Sequence, residues 1–158
     1  MSEAFEDIKR LFESNGSVNK ACRHLKNGAA IGLTIQGEDE PLHFIMQGKD
    51  PAVSYGACAV PTDIDLLFTP GAIRRLSEQE TDSIGDMGLL FLQLMASHDP
   101  EYDIVIKSIN AGFLSFARKG YFSVVAAAGP KVLGFLAKKG LGNPAGLKRA
   151  IDRRRKKK

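Results

Sequence analysis

Apolar and polar positions change period several times along this chain. In residues 3–14, Phe5, Ile8, Leu11 and Phe12 recur at helical spacing behind an acidic first turn, and Asn15-Gly16 stops the run. That spacing predicts a short amphipathic helix. Residues 18–25 predict a further turn or two, closed by Asn27-Gly28. From Ala29 the period drops to two: Ile31, Leu33 and Ile35 share one strand face, and after the polar loop 37–41 the alternation resumes at Leu42, Phe44 and Met46. A turn at 48–51 leads into a small-residue strand over 52–59, and then Ile64, Leu66 and Phe68 alternate with Asp63 and Asp65. Four such strands joined by short connections predict an antiparallel meander.

Helical spacing returns at Pro70, with Ile73 and Leu76 opposed to Arg74, Arg75 and Glu78. Residues 83–97 form a helix that is apolar nearly all round, through Met87, Leu89, Leu90, Phe91, Leu92, Leu94 and Met95. A fifth strand follows at 102–108. Phe113, Leu114, Phe116 and Ala117 then make a helical face, and 130–139 sets Val132, Phe135 and Leu136 against Lys131, Lys138 and Lys139. The fold class expected is α+β, a five-stranded, mainly antiparallel sheet covered on one face by helices. Residues 1–147 read as a single domain with helical extensions at both ends, and 148–158 as a basic, disordered tail.

A length of 158 residues suits one domain with a real core, and 44% hydrophobic residues exclude a mainly disordered chain. The net charge of +4 changes meaning once it is located. Residues 1–103 carry −9 and residues 104–158 carry +13. Such asymmetry points to a partner at the basic end, either an anionic membrane or nucleic acid. The helix over 130–139 has a polar side made only of lysine, the pattern of an interfacial helix on anionic lipid. The docking residues expected are Lys131, Lys138, Lys139, Arg153, Arg154, Arg155, Lys156, Lys157 and Lys158. Nucleic acid is the weaker reading, because the aromatics of this third occupy apolar helix positions instead of exposed stacking positions.

Catalytic chemistry is scarce. His24, His43 and His98 lie far apart, and Cys22-Arg23-His24 has no second ligand pair. There is no nucleophile elbow, zinc-protease motif or Walker loop. Asp63 and Asp65, two apart, read most simply as a solvated strand face. Two cysteines make no disulfide framework and suggest free thiols. The acidic N-terminus carries no secretory pattern, and the longest apolar run, 121–129, is short of a membrane span. The expectation is a cytoplasmic protein, peripheral on membranes, with no enzymatic activity, catalytic residue, metal or cofactor.

What stands out is apolar surplus. Helix 83–97 holds more apolar side chains than one face against a sheet requires, and Phe113, Phe116, Phe122 and Phe135 cluster in the last third. Dense core packing and an adaptable apolar pocket both produce this. Three segments add to the picture: AAIGLTIQGEDEPLHFIMQGK (29–49), TDIDLLFTPGAIRRL (62–76) and YDIVIKSINAGFLSFARKGY (102–121). With the order of elements, they resemble the sterol carrier protein type 2 (SCP-2-like) lipid-binding family, although Ser108-Ile109-Asn110 stands where that family usually has Gly-Asp. The resemblance implies an SCP-2-like fold with an apolar tunnel between sheet and helices for a fatty-acyl, sterol or isoprenoid ligand. From the surplus, the ligand-binding residues expected are Phe68, Ile73, Leu76, Met87, Phe91, Leu94, Met95, Phe113 and Phe116. Two other readings stand beside lipid binding and transfer: a non-catalytic accessory or scaffold protein of a lipid or quinone biosynthetic assembly, and a tail-driven nucleic-acid binder. Oligomeric state is open.

Overall fold

The computed structural model describes residues 2–141 and 144–156. Helices α1 (Glu3–Glu13) and α2 (Gly16–Cys22) precede strands β1 (Ala30–Ile35), β2 (Leu42–Gln47), β3 (Asp50–Tyr55) and β4 (Ile64–Phe68). Helices α3 (Pro70–Glu78) and α4 (Ile84–Ser97) lead to β5 (Ile104–Ile109). The chain then stays helical, through α5 (Phe113–Arg118), α6 (Tyr121–Ala128), α7 (Pro130–Lys138) and α8 (Pro144–Lys156). Side-chain caps fix the early helix starts. Ser2, Asn15, Thr69 and Ser83 each accept a backbone N–H from the first turn that follows, satisfying donors that a helix leaves open.

The five strands form one sheet in the order β3-β2-β1-β4-β5. Three of its pairings are antiparallel, as expected, but β4 does not continue the meander. It crosses to the far side of β1 and pairs with it in parallel, Leu33 opposite Leu66 and Ile35 opposite Phe68. The reason lies at the strand starts. The Asp63 N–H donates to the Ala30 carbonyl at 2.7 Å, and the Asp63 carboxylate accepts the Ala30 N–H at 3.0 Å.

This register puts Leu33, Ile35, Leu42, Phe44, Met46, Val53, Leu66, Phe68 and Ile104 in the buried core beneath the helices. The alternate positions include Gly32, Thr34, His43, Ser54 and Val105, none of them fully buried. On that face a ring nitrogen of His43 lies 2.9 Å from the Gly56 carbonyl oxygen.

The edge strand β3 is sealed by α1. Glu13 accepts the Val53 N–H at 2.8 Å, and the Lys9 ammonium donates to the Val53 carbonyl at 3.4 Å. Pro51 has no N–H to offer.

The C-terminal segment also differs from expectation. Through Lys156 it is a helix, not a disordered tail. Ala, Lys and Arg are good helix formers, and Ile151, 9% exposed, anchors the helix on Ile109 and Phe116.

Candidate ligand-binding cavity

Beside the closed core lies an apolar cavity of about 420 Å³. Ile31, Ile64 and Ile109 from β1, β4 and β5 form its sheet side, and α2 contributes Val18, Ala21 and Cys22. Helix α4 contributes Ile84, Met87, Gly88, Phe91 and Leu92; α6 contributes Tyr121, Phe122, Val124, Val125 and Ala128. Val132 and Leu136 of α7 complete the wall, with Phe12, Ser17, Leu25, Phe116 and Ile151.

The sequence of these helices explains why a cavity forms here. Nearly every residue of α4 is apolar, yet only Gly85, Met87 and Leu94 are fully buried. Helix α6 (YFSVVAAA) has no fully buried residue at all. A helix that is apolar beyond one face needs apolar neighbours on more than one side, and part of this surface faces the cavity instead of protein. Glycines bring the helices close at one end. A Cβ on Gly85 would lie 2.4 Å from the Ala128 carbonyl oxygen, and one on Gly88 would lie 3.0 Å from the Val132 side chain.

The few polar atoms in the wall are turned to protein partners or kept neutral. The Ser17 hydroxyl donates to Asn15 at 2.9 Å. Burial pushes the Cys22 thiol up to about 12, so it is protonated at neutral pH. The Tyr121 hydroxyl donates to Asp63 at 2.7 Å; burial first, and the Asp63 carboxylate second, push its pKa upward. The surface left to the cavity is hydrocarbon.

Asp63 and Asp65 are not a solvated strand face. Asp63 is 2% exposed and ties β1, β4 and the α5–α6 junction together, accepting also from the Lys119 ammonium at 2.6 Å. Asp65 has separate partners, the hydroxyls of Thr62 and Ser108, both at 2.7 Å, and the Asn110 amide at 3.0 Å. The Asn110 N–H also donates to the Asp63 carbonyl at 2.9 Å, so both aspartates hold strands in place.

Of the residues expected from the sequence, Met87, Phe91 and Phe116 stand in the cavity wall. Phe68, Ile73, Leu76 and Leu94 pack in the closed core, Phe68 edge-on to Phe91 with ring centres 6.0 Å apart. Met95 lies half-buried against that core, and Phe113 packs on Phe122 at 5.0 Å in a second apolar cluster. Small residues of α2 and α6 complete the wall: Ala21, Val124, Val125 and Ala128. The signal that could have found them is the same surplus read in α4, present again in 121–128.

Among the basic residues, Lys131, Lys138, Lys139 and Arg153 are exposed. Lys131 pairs with Asp86 in the first turn of α4 and holds its carboxyl below the usual range. Arg154, Arg155 and Lys156 fall within α8, their side chains outside the described residues, as are Lys157 and Lys158 altogether. Among the described residues, no group of three His, Cys, Asp or Glu side chains is placed to hold a metal ion, and no helix is long and apolar enough to cross a membrane.

Among solved structures, the chain is similar to one named "UbiJ-SCP2 Ubiquinone synthesis protein", with a TM-score of 0.43 and 11% identity, over 78% of this chain and 86% of that one. No family model matches the chain, and no curated protein matches it.

Proposed function

We propose that this protein binds the hydrocarbon part of a lipid-type molecule in the cavity between α2, α4, α6, α7 and the sheet, and carries it between membranes. The observation behind this reading is a cavity of about 420 Å³ whose polar wall atoms are neutral or already bonded to the protein. Pockets of a few hundred Å³ or more accommodate small organic ligands. Each buried methylene contributes about 0.8 kcal/mol, so a chain of about ten carbons gives about 8 kcal/mol, the scale of micromolar affinity. Nothing in the wall offers a partner to a polar head, which therefore stays at the mouth. Fatty-acyl, sterol and isoprenoid chains all meet that description.

The test is titration of the full chain with a fluorescent fatty acid, a fluorescent sterol and an isoprenoid quinone analogue, with mass spectrometry of lipid extracted from the purified protein. Saturable binding of at least one probe is expected, and competition by unlabelled chains. If no probe saturates and extraction returns no lipid, the reading fails and an accessory or scaffold role takes its place.

A further inference from the structure

We propose that α7 is a lid over the cavity whose outer face docks on an anionic bilayer, and that docking opens the lid. This rests on the hydrocarbon-binding reading and adds the partner and the trigger. Consecutive residues of α7 have different surroundings. Val132, 4% exposed, lines the cavity, and Leu133 is 45% exposed. Besides Leu133, the exposed residues of α7 and the turn that follows are Pro130, Lys131, Gly134, Ala137, Lys138, Lys139 and Gly140. The preceding helix, α6, exposes Ser123, Ala126 and Ala127. An exposed leucine among lysines and small uncharged residues is the make-up of a helix lying in a bilayer interface.

Charge identifies the partner. The sequence has no acidic residue between Asp103 and Asp152, while residues 1–103 carry −9. An anionic surface attracts the basic last third, to which α7 and the residue after it contribute Lys131, Lys138 and Lys139, and repels the acidic first two thirds, so charge turns the C-terminal helices toward it. Lys139 lies 5.6 Å over the Phe135 ring, a position from which its ammonium can reach headgroups while the stem stays on apolar surface. A rigid polyanion such as duplex DNA would give Leu133 nothing to enter.

Packed on α4, helix α7 buries one side chain fully and leaves Phe135 and Leu136 half-buried, and these are the contacts that opening must release. Its only fully buried side chain is Val132, seated over Gly88 of α4. A surface ion pair from Lys131 to Asp86 ties its first turn to α4. Glycines in positive-φ conformations flank the helix, Gly129 at 83° and Gly140 at 76°, and a Cβ on either would meet nothing within 4 Å. At both positions the backbone can change conformation at the low steric cost peculiar to glycine. Lipid phosphates and carboxylates compete with Asp86 for Lys131, and the same surface repels Asp86. Docking and unlatching are then one event.

The experiment uses the full chain with phosphatidylcholine vesicles, with and without phosphatidylserine. Three quantities are read: flotation with vesicles, transfer of a preloaded pyrene-labelled fatty acid, and alkylation of Cys22 by N-ethylmaleimide in a Cys58→Ser background. Cys22 lines the cavity, so its alkylation reports lid opening without any ligand. Flotation, faster transfer and faster alkylation are expected only with phosphatidylserine. Lys138→Gln and Lys139→Gln should each weaken flotation about fivefold, near 1 kcal/mol per lysine. Leu133→Asp should abolish docking, and Asp86→Asn should speed alkylation without vesicles and reduce the phosphatidylserine effect. The proposal is overturned if alkylation and transfer are the same on both vesicles, if Leu133→Asp docks like wild type, or if duplex DNA is bound and that binding survives Leu133→Asp. Absence of saturable probe binding in solution, with alkylation still responding to phosphatidylserine, would remove the hydrocarbon reading and leave the docking face standing.

Discussion

Tyr121 donates its hydroxyl to the buried Asp63 carboxylate at 2.7 Å while its ring forms part of the cavity wall. One side chain thus joins the strand-locking carboxylate to the first residue of α6. Tyr121→Phe keeps the wall and removes the donor, and should cost about 1–3 kcal/mol of stability while probe affinity stays within about twofold. Asp63→Ala should cost more, about 3 kcal/mol or above, because it strands the Lys119 ammonium, the Tyr121 hydroxyl and the Ala30 N–H. Urea midpoints and probe titrations on the two variants check this order.

Filling the cavity should separate binding from folding. Ala21 lines the wall from α2 and is half-buried. Ala21→Leu adds three carbons there, and should raise the stability of the ligand-free protein by about 1–2 kcal/mol while lowering probe affinity at least about tenfold. A variant that is less stable yet binds normally would show that the space is no ligand site.

A bound ligand should stabilise the fold by mass action. At a free concentration of about one hundred times Kd the gain is about 2.7 kcal/mol, which for a chain of this size raises Tm by about 5–10 °C. Differential scanning fluorimetry with unlabelled fatty acid, sterol and isoprenoid ligands reads this directly.

The buried thiol fixes the alkaline limit. Cys22 titrates near 9 when unfolded and at about 12 in the folded protein, so between these values the unfolded chain has released a proton that the native one keeps. Its contribution is fully present below pH 9 and is lost as pH rises through 12. Stability measured by urea should fall across that window, and Cys22→Ala should flatten the part of the slope due to the thiol. Tyr121, also raised, adds a loss of the same sign above pH 10.

The local elements were legible because their periods are clean. Ile31, Leu33 and Ile35 alternate without interruption, and Phe5, Ile8, Leu11 and Phe12 hold one helical stripe. The place of β4 was not legible, since it depends on a bond pair between Asp63 and Ala30, residues 33 apart in the chain. The cavity was legible as surplus but not as location. Leu94 and Phe91 look alike in the pattern of α4, yet one is 5% exposed in the core and the other faces the cavity. Which is which depends on how α6 and α7 fold back, and that is settled by glycine contacts at Gly85 and Gly88 that no periodicity records.

The seal that Lys9 and Glu13 place over Val53 has a meaning beyond the stability of one strand. An open strand edge is the place where copies of a chain most readily zip together. Here that edge is already occupied by the chain's own first helix. Glu13→Ala should therefore be read less as a lost ion pair than as an invitation to fibrils.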